Sequence, residues 1–290
     1  MHFDLWLPTA NPFATPELLE AVCEEAEARG VHRIWVGEHV VLFDEYASSY
    51  PYAGDGRLPV GGETGLLDPF VTLAFLAAHT SAVRLGTAMC LVPQRNPVYT
   101  AKEVATLDWL SGGRVDLGVG VGWLREEFEA LGVPWPERGK RTDECLAVMR
   151  SLWEDDLSSY EGELVSLPAS RQYPKPVQRP VPVHVGGESD AALRRVARHG
   201  DGWVPFNCRP DDLPPLVASL DEQLAAEGRS RADVEITVCP YFNPTVPEDM
   251  AAYAKAGVDS FAVLFFAFDA DAVPGTFDSV MPLFEAARSA

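Results

Sequence analysis

Two hydrophobic rhythms alternate along the chain. Short, almost unbroken apolar runs rich in Val, Ile, Leu and aromatics occur eight times: "FDLWL" from Phe3, "RIWVGE" from Arg33, "VRLGTAM" from Val83, "RVDLGVG" from Arg114, "VPVHVGG" from Val181, "DGWVPF" from Asp201, "VEITVCP" from Val234 and "VDSFAVLFF" from Val258. Between them lie stretches with helical spacing, such as "TPELLEAVCEEAEARG" and "NPVYTAKEVATLDWLSGG". Thr15-Pro16, Asp68-Pro69 and Asn96-Pro97 each place a capping oxygen before a proline at a helix start. Gly30, Gly112, Gly200, Gly228 and Gly257 stand where a left-handed cap would end a helix. Strands without polar alternation are buried on both faces, which implies a parallel sheet covered by helices. Eight such units in 290 residues predict one α/β domain spanning residues 1–290, a (β/α)8 TIM barrel, with an open doubly wound sheet as the competing arrangement. Two segments exceed ordinary connections, 38–67 and 156–180. The first follows the second strand on the face where barrel sites form, so it is expected to be a lid or substrate wall.

The fourth apolar run opens a chemical question. "LSGGRVDLGVGVGW" puts Gly118, Gly120 and Gly122 on one side of a strand and Val119 and Val121 on the other. The dinucleotide fingerprint requires a third glycine where Trp123 stands, and no GK[ST] follows, so both phosphate-loop motifs are excluded. A bare groove for a flat ligand, or a close backbone approach, remains.

Composition narrows the partners. Forty-three acidic against 23 basic residues give a formal charge of −20, which argues against nucleic acid or an anionic membrane surface. Five scattered cysteines without a CxxC pair indicate neither a disulfide framework nor a thiolate metal site, and fit a reducing cytoplasm. "MHFDLWLP" lacks a basic leader region, and the longest strongly apolar run, "FAVLFFAF" from Phe261, is too short to cross a bilayer. No HExxH or GxSxG is present.

The remaining candidates all fall at strand ends: "GEHV" with Glu38 and His39, "GTAMC" with Ala88 and Met89, the glycine strand, "GGES" from Gly186 through Gly187 and Glu188 to Ser189, and "NCRP" from Asn207 to Pro210. His39 reads as an acid–base residue or a structural hydrogen bonder. "GGES" reads as a plain strand-to-helix turn or as an anion site on a helix N-terminus. Trp123 with the following "REEF" reads as packing and surface, and Arg194, Arg195 and Arg198 as a solvated helix face. In the long loop, Tyr46, Tyr50 and Tyr52 beside Asp44, Glu45 and Arg57 are expected either to meet a ligand with apolar area and some polarity, or to pack on the barrel or a partner.

Taken together, and most densely from "GTAMCLVPQRNPVYTAKEVATLDWLSGGRVDLGVGVGW" through "RTDECLAVMRSLW", these stretches resemble the bacterial luciferase-like family of flavin and deazaflavin oxidoreductases, over Met1 to about Phe206. The resemblance implies a (β/α)8 barrel holding an isoalloxazine-type ring at its C-terminal mouth. It further implies a cis Ala88–Met89 peptide behind the ring, glycines of the fourth strand lining its cavity, and "GGES" binding the ribityl phosphate. Members using coenzyme F420 end the second strand in an acidic residue, a histidine and, four positions on, an aromatic. Glu38, His39 and Phe43 match, with Phe for the usual Trp, and Arg209 matches a basic residue near the cofactor phosphate. Users of reduced flavin mononucleotide (FMN) often carry an arginine where Val121 stands, whereas F420-dependent sugar-phosphate dehydrogenases carry a glutamate where Trp123 stands. The resemblance thus implies an F420-dependent oxidoreductase with His39 and Glu38 as catalytic residues, a small-molecule substrate, a homodimer and a separate cofactor-reducing enzyme. An FMN-dependent two-component monooxygenase and a non-catalytic flavin or deazaflavin carrier stand as alternatives.

Overall fold

The computed structural model describes residues 1–290. In chain order it contains β1 (His2–Leu7), α1 (Pro16–Arg29), β2 (Arg33–Val36), α2 (Pro69–His79), β3 (Arg84–Thr87), α3 (Pro97–Ser111), β4 (Val115–Val119), α4 (Arg125–Ala130) and α5 (Arg138–Glu154). There follow β5 (Ser158–Glu161), β6 (Ser166–Ser170), β7 (Val183–Gly186), α6 (Asp190–His199), β8 (Gly202–Val204), α7 (Leu213–Ala226), β9 (Glu235–Val238), α8 (Met250–Lys255), β10 (Ser260–Leu264) and α9 (Val273–Ser289). Eight of the strands close a parallel barrel in the order β1-β2-β3-β4-β7-β8-β9-β10 and back to β1. Each of the eight runs named above supplies one of these strands, so the (β/α)8 expectation holds and the open sheet is excluded. Residues 156–180 add what periodicity did not show, the antiparallel hairpin β5–β6.

Local chemistry sets the element ends. Thr15, Asp68 and Asn96 accept hydrogen bonds from the first-turn amides of α1, α2 and α3, each with proline at the next position. Gly30 and Gly112 close α1 and α3 in the left-handed region. Gly200 does not, having φ −88° and ψ 137°. The chain passes directly into β8 there, and a Cβ would stand 3.0 Å from Val196 and from the Gly202 carbonyl oxygen. Of the three arginines expected on a solvated face of α6, Arg195 is buried against α5, its Nε donating to Asp143 at 2.6 Å.

The main apolar core lies between the strands and the helical ring. Inside the barrel the N-terminal end is charged: Arg33 pairs with Asp4 at 3.3 Å, Asp116 at 2.7 Å and Glu235 at 3.1 Å. Burial drives the Asp4 carboxyl up to about 7 against the pull of Arg33. Trp35 stands across this network, its indole N–H donating to Asp4 at 2.9 Å. Its ring packs with Ala88, Cys239 and Ala262, with Trp6, Met89, Phe206 and Tyr241 lying against that group. Above this platform the barrel opens.

Candidate active site

A cavity of about 520 Å³ occupies the C-terminal mouth, the size of small-ligand sites. The barrel order divides its wall in two. The contiguous strands β3, β4 and β7 end in Ala88, Met89, Gly120, Gly122 and Gly186, all lining it. The contiguous strands β8, β9, β10 and β1 lead into Phe206, Tyr241, Leu264 and Trp6. His39, just past β2, lies at one seam, and the long loop closes the aromatic half with Tyr50 and Tyr52.

The glycines work differently from the bare groove expected of them. A Cβ on Gly118 would stand 1.9 Å from the Thr87 carbonyl oxygen. Gly118 therefore does not line the cavity; it lets β4 lie hard against the end of β3, where Thr87 Oγ1 donates to the Gly118 carbonyl at 2.7 Å. A Cβ on Gly120 or Gly186 would come within 3.0 Å of Met89 side-chain carbons. The space the two glycines leave is occupied by that thioether chain, which becomes part of a smooth wall. The Ala88–Met89 peptide is cis.

Glu38 and His39 are consecutive, and their side chains serve different neighbours. Glu38 is buried and accepts from the Leu91 amide at 2.6 Å and Arg95 Nε at 2.7 Å, fastening the turn after β3. The carboxylate that meets His39 is Glu127 on α4, whose Oε2 faces His39 Nδ1 at 3.3 Å. Glu127 is fully buried and also accepts from the Val40 amide at 2.7 Å, the Val41 amide at 3.4 Å and Gln94 Nε2 at 2.9 Å. Burial pushes its carboxyl upward, but the bonds from His39, Gln94 and Val40 win and hold it below the usual carboxylate range. An ionised Glu127 accepts only, so Nδ1 carries the proton and Nε2, which has no protein partner, presents its lone pair. Trp123 packs edge-on to His39 with ring centroids 5.7 Å apart, and to Tyr50 at 5.0 Å.

The neighbouring Glu126 grips the same loop further on, accepting from the Ala47 amide at 2.7 Å and from Ser48 Oγ at 2.7 Å. This hold carries Phe43, half-buried, outside the cavity lining, and the loop's aromatic contribution comes from Tyr50 and Tyr52. Gly186, Gly187, Glu188 and Ser189 do line the cavity. Ser189 caps α6 by accepting from the Ala192 amide at 3.2 Å, and Glu188 accepts from the Phe206 amide at 2.6 Å while burial holds its carboxyl above the ordinary value. Arg209 is exposed, donates to Asn243 at 3.1 Å and does not line the cavity.

The luciferase-like monooxygenase family model matches residues 1–274. The chain belongs to that family. An uncharacterized protein of Mycobacterium tuberculosis is 37% identical to this luciferase-like chain over 261 residues, 89% of each. An F420-dependent glucose-6-phosphate dehydrogenase of Kineococcus radiotolerans is 31% identical over 236 residues, 79% of this chain but 64% of the relative. Among solved structures, an F420-dependent secondary alcohol dehydrogenase in complex with an F420–acetone adduct shares the fold, with a TM-score of 0.75, 18% identity and 98% of each chain covered. No helix of this luciferase-like protein is long and apolar enough to cross a membrane. The functional residues that sequence reasoning passed over are Glu126 and Glu127, read there as surface. The available signal was two adjacent acids opening a short helix directly after the glycine strand, within reach of the loop following β2.

Proposed function

We propose that this luciferase-like protein is a coenzyme F420-dependent oxidoreductase that moves a hydride between deazaflavin C5 and a small organic substrate. The observation that carries the reading is a smooth glycine-lined wall facing a histidine whose far nitrogen is held by a buried carboxylate, both at one barrel mouth. Relatives at 28–31% identity bear the name F420-dependent glucose-6-phosphate dehydrogenase, which favours this cofactor over FMN.

The residues fit such a group. Gly120, Gly122 and Gly186 set no side chain between the cavity and the wall, with Met89 against Gly120 and Gly186 and Phe128 against Gly122, leaving a surface a flat heterocycle can cover. When bound, the deazaflavin supplies a hydride-carrying carbon without activating oxygen as a reduced flavin does. The chain does the rest. Unpaired amides at the start of α6, next to Ser189, serve the anionic tail. His39 Nε2 takes or returns the proton of a substrate hydroxyl or carbonyl, and Glu127 stabilises the imidazolium so formed. Glu38 acts through the turn it fastens. We place a second copy of the chain against α3, whose Val98, Tyr99, Trp109 and Leu110 are exposed, giving a homodimer; a sedimentation mass of one 31.6 kDa chain would refute that. A separate reductase would regenerate the cofactor, and five free, buried cysteines fit a cytoplasmic setting.

The family's own description as a monooxygenase favours a second reading, oxygen chemistry on borrowed reduced FMN. Parallel titrations with F420 and with FMN, followed by turnover with and without oxygen, separate the two. Low-micromolar F420 binding and oxygen-independent turnover are expected. Binding of FMN alone, or strict oxygen dependence, overturns the F420 reading.

A further inference from the structure

The aromatic half of the cavity carries information that the cofactor reading does not use. Among all the side chains lining the cavity there is no lysine or arginine. Arg33, beneath the Trp35 platform, is spent on Asp4, Asp116 and Glu235, and Arg95, beside the lining residue Glu38, on Glu38, Asp68 and Glu103. Arg57 lies over the Tyr46 ring with its Nη1 donating to the Tyr46 carbonyl at 2.9 Å, and Arg209 is turned toward Asn243. The carboxylates present, Glu38 and Glu188, are both occupied by backbone amides. The surrounding protein carries −20.

What the wall does offer is ring surface. Phe206 packs on Trp6 at 4.7 Å, on Tyr241 at 4.5 Å and on Tyr52 at 4.7 Å between centroids, a continuous aromatic box beside His39. Its rim stays apolar outward, with Phe242 and Phe266 both lining the cavity and about half exposed, and Phe268 packed on Phe13 at 5.2 Å.

We infer that the substrate is an uncharged, largely apolar molecule, ring-bearing or branched, and that phosphorylated sugars are excluded. The assignment of the aromatic half to the substrate rests on the F420 reading; the selectivity against anions rests on the wall alone. A phosphate entering this box would lose water and gain no cation, whereas a neutral ring gains aromatic contact on several sides. A named similarity to glucose-6-phosphate dehydrogenases therefore does not extend to this chain's substrate pocket.

Calorimetric titration of the whole protein, first with F420 and then with F420 present, tests this using matched probes: 1-phenylethanol and cyclohexanone against phenyl phosphate and glucose 6-phosphate. The neutral probes are expected to bind at least about 10²-fold more tightly than either phosphate. Fluorescence of Trp6 and Trp123 gives an independent readout of occupancy, since both indoles line the cavity. Phosphates binding as tightly as the neutral probes would overturn the inference, as would absence of neutral binding to F420-loaded protein. Neutral binding with no F420 binding at all would instead sink the cofactor reading and leave the charge selectivity standing.

Discussion

Replacing Glu127 by Gln tests the link between α4 and the reacting centre. The variant keeps one acceptor oxygen and the volume of the side chain, but turns the other oxygen into a donor. Glu127 now receives four donors, with the Val40 amide at 2.7 Å the shortest. If the amide oxygen stays on Val40, the new NH2 faces His39 Nδ1 and Gln94 Nε2. Gln94 relieves its side by turning its own amide. His39 relieves its side by moving its proton from Nδ1 to Nε2, which removes the lone pair from the cavity. Loss of the charge assistance on the shorter bonds costs about 1–3 kcal/mol of stability. For a domain of this size that lowers Tm by about 2–6 °C, so the variant remains folded at 25 °C. The tautomer change should instead lower kcat by about 10²-fold or more while KM for the substrate hardly moves. Anaerobic steady-state kinetics from pH 5 to 9, with calorimetric Tm, give both numbers, and the ring-nitrogen NMR shifts of His39 report the tautomer without turnover. Glu127→Asp, which keeps the charge, should recover part of the rate. Wild-type kcat in Glu127→Gln, or an unchanged Nδ1–H tautomer with reduced kcat, would refute the reasoning.

Other consequences can be checked on the free protein. Gly118→Ala forces a Cβ to within 1.9 Å of the Thr87 carbonyl oxygen, so β3 and β4 must part and the Thr87 to Gly118 bond is strained; overpacking and bond loss together predict about 2–4 kcal/mol of destabilisation. Gly120→Ala meets Met89 Cβ at 3.0 Å, a contact that a shift of a few tenths of an ångström relieves, and should cost less than half as much by urea denaturation; equal costs would refute the contrast. Asp4, raised from 3.8 to about 7 by burial, holds a proton in the folded state that the unfolded chain has released. Its contribution to stability is complete below about pH 4 and is lost as pH rises through 7. Asp4→Asn should therefore remove a fall in stability between pH 4.5 and 7, and parallel wild-type and variant curves would contradict it. Glu235 acts oppositely: held down to about 2 as Arg33 outweighs the cost of burial, it stabilises above pH 4.5 and loses that effect as pH falls toward 2.

The strands and caps were legible because each is announced by neighbours in sequence: proline after an oxygen-bearing residue, or a run of β-branched and aromatic side chains. The cavity candidates at strand ends followed, since a parallel barrel gathers those ends on one rim. What could not be read were relations across the chain. His39 and Glu127 are 88 residues apart, and the adjacent Glu38 was the natural partner to choose until the turn after β3 claimed it. The glycines were recognised as absent side chains, but only packing reveals that Met89 and the Thr87 carbonyl fill the vacancy. Phe43 and Arg209 matched by position along the sequence and are carried away from the cavity by the hold of Glu127 and Glu126 on the loop either side of Phe43 and by the Asn243 contact.

The two carboxylates of α4 hold the loop mainly by its backbone, through the amides of Val40, Val41, Ala47 and Ser48. Any residue but proline offers that same amide. The attachment is thus nearly blind to what the loop's side chains are, and Tyr52, which lines the cavity without touching Trp123 or His39, can be exchanged without loosening the frame. Such a division leaves the pocket's lining the part of this protein most open to change, while the backbone hold on the loop after β2 stays as it is.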